Sequence, residues 1–413
     1  MAETAGNQGR VRFAIRRPSF DLGQRPFIVI WEITRACDLA CAHCRASAMP
    51  ARNPGELTPE ESRSLIDQIA AFGPPAPLFV MTGGDPIKRP DLLDLVSYAS
   101  SRGLPVSLSP SATPLLTPAL VRELRSAGLV ALSLSVDGSS SEIHDAFRGI
   151  GGVFARTLAA WEAARECGLK VQVNTTVAKL NMLDLPRIAR LVLDKGAMTW
   201  SVFFLVPVGR GIGLRQISPE ECEDVMNFLY DAGKVLRVKT TEGHHYKRVV
   251  LQRMALERRG VPHEEVLNLG PTYRALVEGL QPWPAGPNER RTPIEINAGR
   301  GFVFISHLGT VHPSGFLTAE AGSVRKAPLA ELYRESRMFT ELRDLAKLQG
   351  RCGACEFARM CGGSRSRAHA MTGNHLAEDP LCAYAPGSFP FPGDIEELIG
   401  KRRTTETVAA PMA

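Results

Sequence analysis

The chain has 413 residues, of which 44% are hydrophobic and 22% are charged, and its formal net charge is +6. A chain of this length buries a sizeable core, which excludes a small disulfide-stapled fold, and its ordinary composition excludes global disorder. The charge is too small and too dispersed to indicate nucleic-acid binding. Because there is no apolar stretch of about 18 residues and no apolar signal region, we expect a cytoplasmic protein with no membrane span.

Six apolar runs alternate with amphipathic segments along the first half of the chain. The runs are short, rich in β-branched residues and apolar on both faces, which is typical of buried parallel strands. In chain order they are FIVIWEIT from residue 27, PLFVMTGG from 77, PVSLSP from 105, ALSLSVDG from 131, KVQVNTTV from 170 and WSVFFLVPVG from 200. Helix starts are predicted at 58–61, 117–118 and 218–221, where a hydroxyl residue precedes a proline.

Six strand–helix repeats without an obvious seventh and eighth predict an α/β fold, a partial (β/α)6 barrel of the TIM type. An open doubly wound sheet would produce the same pattern. Polar and cysteine-containing motifs follow the first, second, fourth, fifth and sixth runs, which favours a curved sheet around one site. The predicted domains are an N-terminal arm (1–26), the barrel (27–230), a helical and Pro-rich bridge (231–293), a second cysteine-containing unit (294–386) and a C-terminal tail (387–413).

Seven of the nine cysteines fall in two groups, which indicates metal or redox chemistry rather than disulfides. The first group follows the first strand in TRACDLACAHCRAS and contains Cys37, Cys41 and Cys44. Three thiolates from one loop can hold three irons of a 4Fe-4S cube and leave the fourth open to a ligand. A zinc knuckle with His43 as fourth ligand is the alternative, disfavoured because His43 directly precedes Cys44.

This loop resembles the signature of the radical S-adenosylmethionine (SAM) superfamily. The resemblance implies that the open iron chelates SAM and that an electron from the reduced cluster cleaves it to a 5'-deoxyadenosyl radical, which abstracts hydrogen from a substrate. It also implies SAM contacts at the strand ends, with Asp85 in place of the family's usual glutamate and Arg148 as a clamp on the SAM carboxylate or as a surface partner of Asp145. The implied contacts are Gly83, Gly84, Asp85, Pro86, Ser133, Ser135, Asp137, Arg148, Asn174, Thr176 and the loop from Val206 to Gly211.

The second group, Cys352, Cys355, Cys361 and Cys382, can saturate one auxiliary 4Fe-4S cluster. A four-cysteine zinc site is the alternative. The region resembles the SPASM or twitch extensions of radical SAM enzymes. Full SPASM domains hold two auxiliary clusters, but Ser314 and Ser364 stand where further cysteines are frequent, so we expect one. The remaining two cysteines, Cys167 and Cys222, are expected in the core of helices.

Four segments within residues 27–386 are EITRACDLACAHCRA, FFLVPVGRG, FISHLGTVHPSGFL and CGGSRSRAHAMTGNHLAEDPLC. They resemble the branch that contains the iron-coproporphyrin decarboxylases and the enzymes that remodel haem propionates. That resemblance implies a tetrapyrrole substrate whose propionates lose a β-hydrogen and carbon dioxide to become vinyl groups, with the auxiliary cluster accepting the remaining electron. Cations would bind the propionates. The candidates for this role are Arg290, Arg291, Arg300, Arg365 and Arg367. The candidates for an iron ligand or proton donor are His244, His245 and Tyr246, with His307 and His312 on a predicted hairpin.

Two other functions remain open at this point. A maturase acting on a ribosomally made peptide is the first, although the short N-terminal arm cannot fold the recognition domain that such relatives often carry. A zinc-bound scaffold without catalysis is the second. For either catalytic function the resemblance implies a reducing partner such as flavodoxin or ferredoxin.

Overall fold

The structure is a computed structural model that describes residues 16–282 and 293–400. Its strands form one ten-stranded sheet in the order β10-β9-β8-β1-β2-β3-β4-β5-β6-β7. The strands are β1 (Ile28–Thr34), β2 (Leu78–Gly83), β3 (Val106–Leu108), β4 (Ala131–Ser135), β5 (Lys170–Val177), β6 (Thr199–Phe204), β7 (Val238–Thr241), β8 (Phe302–Ile305), β9 (Thr310–His312) and β10 (Gly322–Ser323).

Helices follow most of the parallel strands and continue through the C-terminal part of the described chain. They are α1 (Pro59–Ala70), α2 (Leu92–Ser101), α3 (Pro118–Ser126), α4 (Ser141–Arg148), α5 (Val153–Glu166), α6 (Leu185–Asp194), α7 (Pro219–Ala232), α8 (His245–Arg259), α9 (Pro271–Gly279), α10 (Leu329–Glu335), α11 (Arg337–Arg343), α12 (Gly350–Ala354), α13 (Arg365–Thr372) and α14 (Pro392–Ile399). Across residues 16–282 and 293–400, none of these helices combines the length and apolarity that crossing a bilayer requires.

The predicted partial barrel is confirmed. Strands β1 to β6 are parallel and adjacent in chain order, as expected for consecutive strand–helix units with right-handed crossovers. All six predicted strands are present. The carboxyl ends of these strands therefore share one edge of the sheet, where the motifs identified in the sequence meet.

The sheet is wider than the six strands expected from the sequence. Strand β7 pairs in parallel with β6, and β8 pairs in parallel with β1, so the parallel part contains eight strands. The sequence of β7, VKTT, has a single apolar residue, so it lacks the apolar run that marks a buried strand. The segment 231–293, predicted as a helical and Pro-rich bridge, thus contains α8 and α9 and also a strand of the barrel.

The predicted hairpin is present, but it also extends the barrel. Strands β8 and β9 are antiparallel, and β10 adds a third antiparallel strand at this edge. Because β8 pairs with both β1 and β9, the barrel and the C-terminal unit share one continuous sheet.

Helix starts follow the predicted chemistry. The Thr58 side chain accepts from the Glu61 N–H while the Glu61 carboxylate accepts from the Thr58 N–H, and Ser218 and Glu221 form the same reciprocal pair. Thr117 caps α3 through the Leu120 N–H. These caps set where the helices begin after the loops that carry the site.

One face of the barrel strands is apolar and packs on the helices, and the other carries polar side chains together with Phe203 and Phe304. Trp31, Val173 and Trp200 belong to the main buried core on the helix side. On the opposite face, strand register places Ser135, Asn174, Ser201 and Lys239 in one row across β4 to β7. The interior of the barrel therefore presents polar side chains toward its open mouth.

Candidate functional site

The loop that follows β1 carries the first cysteine group and packs against the glycine turn that ends β2. The Gly84 N–H donates to the Thr34 carbonyl at 2.9 Å and the Asp85 N–H donates to the Ala36 carbonyl at 2.6 Å. A Cβ on Gly83 would lie 2.5 Å from the Thr34 oxygen, and one on Gly84 would lie 2.5 Å from the Ala36 oxygen. The two glycines are therefore required for the turn to contact the cysteine loop itself.

Each cysteine sulfur of this loop has at least one polar neighbour. The Leu39 N–H donates to Cys37 Sγ at 3.3 Å, the Ala48 N–H donates to Cys44 Sγ at 3.5 Å, and Arg148 Nη1 lies 3.6 Å from Cys41 Sγ. Burial raises the pKa of the Cys37 thiol in the absence of a metal. Donors to sulfur stabilise thiolates, the form that ligates iron.

Arg148 is buried at this loop, where it forms an ion pair with Asp137. Asp137 is fully buried, and its carboxylate also accepts from the Thr176 N–H at 2.7 Å. Burial raises the pKa of Asp137, but the Arg148 cation and the hydrogen bond from the Thr176 N–H are among the effects that act against burial, and the net pKa lies below its ordinary value. The alternative of a surface pair between Arg148 and Asp145 is wrong, because the Asp145 carboxylate instead accepts from the backbone around 152–154.

Arg210 is a residue that the sequence reasoning missed. Its Nε donates to the Cys41 carbonyl at 2.9 Å, its Nη1 to the Ala48 carbonyl at 3.2 Å, and its backbone N–H to the Cys44 carbonyl at 3.0 Å. The neighbouring Gly209 has a φ of +56°, and a Cβ there would lie 2.4 Å from the Cys44 oxygen. The only signal in the sequence is the VPVGRG segment, which the resemblance implies as a SAM contact rather than as a support of the cysteine loop.

His43 packs on Phe147, with the two ring centroids 4.7 Å apart. Burial lowers the pKa of His43 to about 4, so the imidazole is neutral at physiological pH. Its contact with Phe147 gives His43 a packing role in this structure.

The implied SAM contacts lie around the mouth of the barrel, and some of them hydrogen-bond to neighbouring side chains. Asp85 is fully buried; burial raises its pKa to about 6, and its carboxylate accepts from Thr113 Oγ1 at 2.7 Å. Asn174 accepts from Gln172 Nε2 at 2.8 Å and shares its row with Ser135. The remaining implied contacts lie on the same strands or on the turns and loops that follow them: Gly83, Gly84, Pro86, Ser133, Thr176, Val206 and Gly211.

The second cysteine group lines one pocket. Cys352, Cys355, Cys361 and Cys382 lie around it together with Gly362, Gly363 and Asp379. Burial raises the pKa of Cys355 to about 11 and also raises the pKa of Cys361 and Cys382. Four thiols that face one buried space fit the donor set of one fully ligated 4Fe-4S cluster.

Polar donors surround the sulfurs of this pocket too. The Gly363 N–H donates to Cys361 Sγ, and Arg365 Nη2 and the Asp379 N–H donate to Cys352 Sγ, each at 3.4 Å. A Cβ on Gly363, whose φ is +64°, would lie 3.0 Å from Cys352 Sγ. Glycine at this position therefore leaves room for the sulfur.

Arg365 and Arg367 are not available to bind propionates, so that expectation is wrong for both. Arg367 is fully buried; it pairs with Asp379 and donates to the carbonyls of Phe204, Leu205 and Glu242. Arg365 donates to Cys352 and to carbonyls in 375–377. Their hydrogen bonds link the second cysteine pocket to the end of β6.

The two serines at frequent cysteine positions converge on Glu242. Ser314 Oγ donates to Glu242 Oε1 at 2.9 Å, Ser364 Oγ donates to Oε2 at 2.5 Å, and Ser366 Oγ donates to Oε1 at 2.9 Å. All four side chains are buried. A hydrogen-bonded group of one carboxylate and three hydroxyls therefore lies where Ser314 and Ser364 replace the frequent cysteines.

The histidine and tyrosine candidates differ in what they contact. His245 Nε2 lies 2.8 Å from Asp379 Oδ2 and its Nδ1 lies 3.9 Å from Cys222 Sγ, while Tyr246 donates to the Leu229 carbonyl at 3.4 Å. Both side chains are thus engaged in the fold, and their roles as iron ligand or proton donor stay predictions. His244 is half-buried, and burial lowers its pKa well below the ordinary value.

The remaining candidates lie in several places. His307 pairs with Glu32, and His312 lies 3.1 Å from the Ala319 carbonyl. Arg300 is half-buried and donates to the Arg359 carbonyl at 2.6 Å. The other two propionate candidates, Arg290 and Arg291, lie outside the described residues.

The two isolated cysteines lie at helices, as expected. Cys222 is buried in α7, and Cys167 forms the C-terminal cap of α5.

Comparison with known proteins identifies clear relatives. Residues 31–192 match the model of the radical SAM superfamily. The AdoMet-dependent heme synthase of Methanosarcina barkeri is 37% identical over 88% of this chain and 97% of its own length. The mycofactocin maturase MftC of Mycobacterium tuberculosis is 28% identical over 86% of this chain and 83% of its own. Streptococcus suis SuiB bound to S-adenosylmethionine has a TM-score of 0.64 over 87% of this chain and 78% of its own, at 13% identity, and so shares the fold.

Proposed function

Because the chain belongs to the radical SAM superfamily, we propose that it is an enzyme that oxidatively decarboxylates propionate side chains of an iron-containing tetrapyrrole. The observation that carries this proposal is the 37% identity to an AdoMet-dependent heme synthase over 97% of that protein's length. The match also spans 88% of this chain. Identity at this level over nearly the whole relative supports a shared substrate class, which a shared fold alone would not.

The family implies a 4Fe-4S cluster and SAM, and the loop of Cys37, Cys41 and Cys44 would hold that cluster. When bound and reduced, it supplies the electron that cleaves SAM and so starts hydrogen abstraction. The residues of this chain hold the loop in place: Arg210 binds its carbonyls and Arg148 contacts one sulfur. The polar row of the barrel, including Ser135 and Asn174, would bind SAM beside it.

The auxiliary 4Fe-4S cluster would bind in the pocket of Cys352, Cys355, Cys361 and Cys382. In the proposed reaction each reacting propionate loses one hydrogen atom from its β-carbon and one carbon dioxide, and a vinyl group and one electron remain. A cluster in this pocket would supply an acceptor for that electron. The external reductant would be a flavodoxin or ferredoxin, and we propose a cytoplasmic location for the reaction.

Anaerobically reconstituted protein tests the proposal. We expect about eight irons per chain, formation of 5'-deoxyadenosine with SAM and a reductant, and two decarboxylations of iron-coproporphyrin III by mass. Cys41→Ala should abolish 5'-deoxyadenosine formation, because the core cluster loses a ligand, whereas Cys355→Ala should retain it and lose turnover of the porphyrin. Colourless protein with stoichiometric zinc would contradict the catalytic function.

A peptide maturase is the second candidate, and the 28% identity to MftC favours it. Absence of any change in the Soret band on titration with iron-coproporphyrin III, together with retained cleavage of SAM, would support this candidate over the first. The same protein sample serves both experiments.

A further inference from the structure

Five side chains meet where the cysteine loop, β1 and the β8–β9 hairpin come together, and we call them the Arg45 cluster. They are Glu32, Arg45, Phe304, His307 and Phe316. Register places Phe304 directly beside Ile30 of β1, so Phe304 and Glu32 project from the same face of neighbouring strands. This face is the one opposite the helix-packed core residues Trp31 and Val303. The cluster therefore lies on the barrel's inner side.

The Arg45 guanidinium is held in a defined orientation. Its Cζ lies 4.5 Å from the centre of the Phe304 ring and 6.0 Å from that of Phe316. Its Nη1 lies 3.0 Å from Glu32 Oε2 and 3.4 Å from the Gly315 carbonyl. Stacking on an aromatic face and pairing at one nitrogen reduce the conformational freedom that a ligand would otherwise have to restrict.

The outer edge of the same guanidinium faces away from these contacts. The Arg45 side chain is 20% exposed, and in the part of the chain that the structure describes its Nε and Nη2 make no hydrogen bond and are not enclosed. Two parallel N–H groups in this position match the two oxygens of a carboxylate. Arg45 is thus a bound cation with a free edge for an anion.

Glu32 is fixed from its other side. His307 Nδ1 lies 2.9 Å from Glu32 Oε1, and both side chains are 5% exposed. Burial raises the pKa of Glu32, but Arg45 and His307 outweigh burial and lower it. Glu32 therefore stays ionised and anchors Arg45 without turning toward the mouth of the barrel.

The surroundings indicate what kind of molecule would carry the carboxylate. Phe203 at the end of β6 lies 6.3 Å from Phe316, ring centre to ring centre, and both are half-buried. Aromatic side chains beside an oriented cation suit a flat apolar body with a carboxylate arm. Arg45 directly follows Cys44, so a ligand bound to it would lie close to the core cluster.

We propose that Arg45, oriented by Glu32 and Phe304, binds a carboxylate of the substrate at the mouth of the barrel. This inference rests on the proposed function, for which the carboxylate is a propionate of the tetrapyrrole. It assigns substrate binding to a residue beside the cysteine motif rather than to the arginines of the C-terminal unit.

The experiment compares holoenzyme variants in their binding of iron-coproporphyrin III and of its tetramethyl ester, which lacks the carboxylates, by Soret titration in one detergent buffer. Arg45→Gln should weaken binding of the acid about 10- to 100-fold and leave binding of the ester unchanged. Arg45→Lys keeps the charge but not the paired donors and should weaken acid binding by a smaller factor. Arg102→Gln, which removes a half-exposed arginine paired with Asp67, is the control and should change neither.

Iron content and formation of 5'-deoxyadenosine are measured on every variant, so that damage to the cluster is seen directly. Unchanged acid binding in both Arg45 variants with full iron content would overturn the inference while the proposed function stands. Equal losses for acid and ester would also overturn it, because Arg45 would then shape the pocket rather than bind a carboxylate. Failure of the unmodified enzyme to bind the acid at all would instead overturn the proposed function and, with it, this assignment.

Discussion

Arg148 contacts two groups that both carry negative charge when the protein is loaded with iron. One is the Asp137 carboxylate and the other is Cys41 Sγ at 3.6 Å. The Asp137 backbone N–H in turn donates to His144 Nδ1 at 3.1 Å, so the loop after β4 is fixed as well. A buried charge of this kind is costly unless its partner is present.

We expect Arg148→Gln to lower the free energy of unfolding by about 3–5 kcal/mol, because Asp137 is left buried without its partner. Chemical denaturation under anaerobic conditions measures this change. The double variant Arg148→Gln with Asp137→Asn should be less destabilised than the sum of the two single variants. Additive losses would contradict the direct pairing of the two side chains.

Short glycine turns contact both ends of the cysteine loop. The turn of Gly83 and Gly84 contacts its beginning, and Gly209 contacts its end at the carbonyls of Cys44 and Arg45. These contacts are backbone to backbone, so they leave no room for a side chain at the glycines. A change of one methyl group is therefore expected to move the loop.

Gly209→Ala should displace the loop, because its φ of +56° disfavours alanine and the new Cβ would lie 2.4 Å from the Cys44 oxygen. We expect iron content to fall from about eight to about four per chain, since only the auxiliary pocket is untouched. Gly213→Ala lies in the same turn with no atom within 4 Å of the new Cβ and is the matched control. Equal iron contents in the two variants would contradict this role of Gly209.

Helices α7, α8 and α9 are joined by a buried ion pair. Asp231 on α7 accepts from Arg253 on α8 at 2.8 Å and from the Tyr273 hydroxyl on α9 at 2.8 Å. Burial raises the pKa of Asp231, but Arg253, Lys234 and the Tyr273 hydroxyl together outweigh burial, and the net pKa is below the ordinary value. A depressed aspartate pKa stabilises the fold above the unfolded-state pKa of about 3.9 and loses this effect as the pH falls through the native pKa.

Asp231→Asn should therefore lower the free energy of unfolding by about 3 kcal/mol at pH 7, with a difference from the unmodified protein that shrinks below about pH 4. Denaturant titrations across this pH range measure it. Asp67→Asn, which removes an exposed pair with Arg102, should cost less than about 1 kcal/mol at any pH. A pH-independent loss for Asp231→Asn would mean that shape rather than charge is responsible.

Buried polar groups connect the barrel to the C-terminal unit. Arg367 on α13 binds the carbonyls at the end of β6 and the Asp379 carboxylate, and Glu242 after β7 binds Ser314 and Ser364. Together with the pairing of β8 and β1, these bonds make the two units one packed body around the site. Contacts between the barrel and the C-terminal unit thus set the distance and orientation of the two cysteine groups relative to each other.

Arg367→Met should destabilise the protein by about 3–5 kcal/mol, because it leaves Asp379 buried with only part of its partners. Hydrogen exchange should rise both at the end of β6 and in residues 361–382, since the arginine bridges them. Arg351→Met is the control: its pair with Glu378 is about 40% exposed on both sides, and its loss should leave exchange at β6 unchanged. Faster exchange in residues 361–382 alone would show that Arg367 does not couple the units.

The sequence by itself determined the features that depend only on residues close together in the chain. The parallel strands follow from short apolar runs, the helix starts from hydroxyl–proline–glutamate patterns, and the first cysteine group from its spacing after β1. Each of these depends on local backbone chemistry or on one loop. The resemblance to the radical SAM superfamily rested on the same local motif and is confirmed by the comparison.

Only the tertiary structure decided which charged residues are free and which are used inside the fold. From the sequence, Arg365 and Arg367 are candidates for substrate binding, yet their donors are engaged by other residues of the fold. Arg45, next to the cysteine motif, keeps an open edge. Strand β7 was missed because pairing with β6, rather than its own apolar content, makes it a strand. Burial and pairing are properties of the packed molecule, because desolvation depends on every element that surrounds a group.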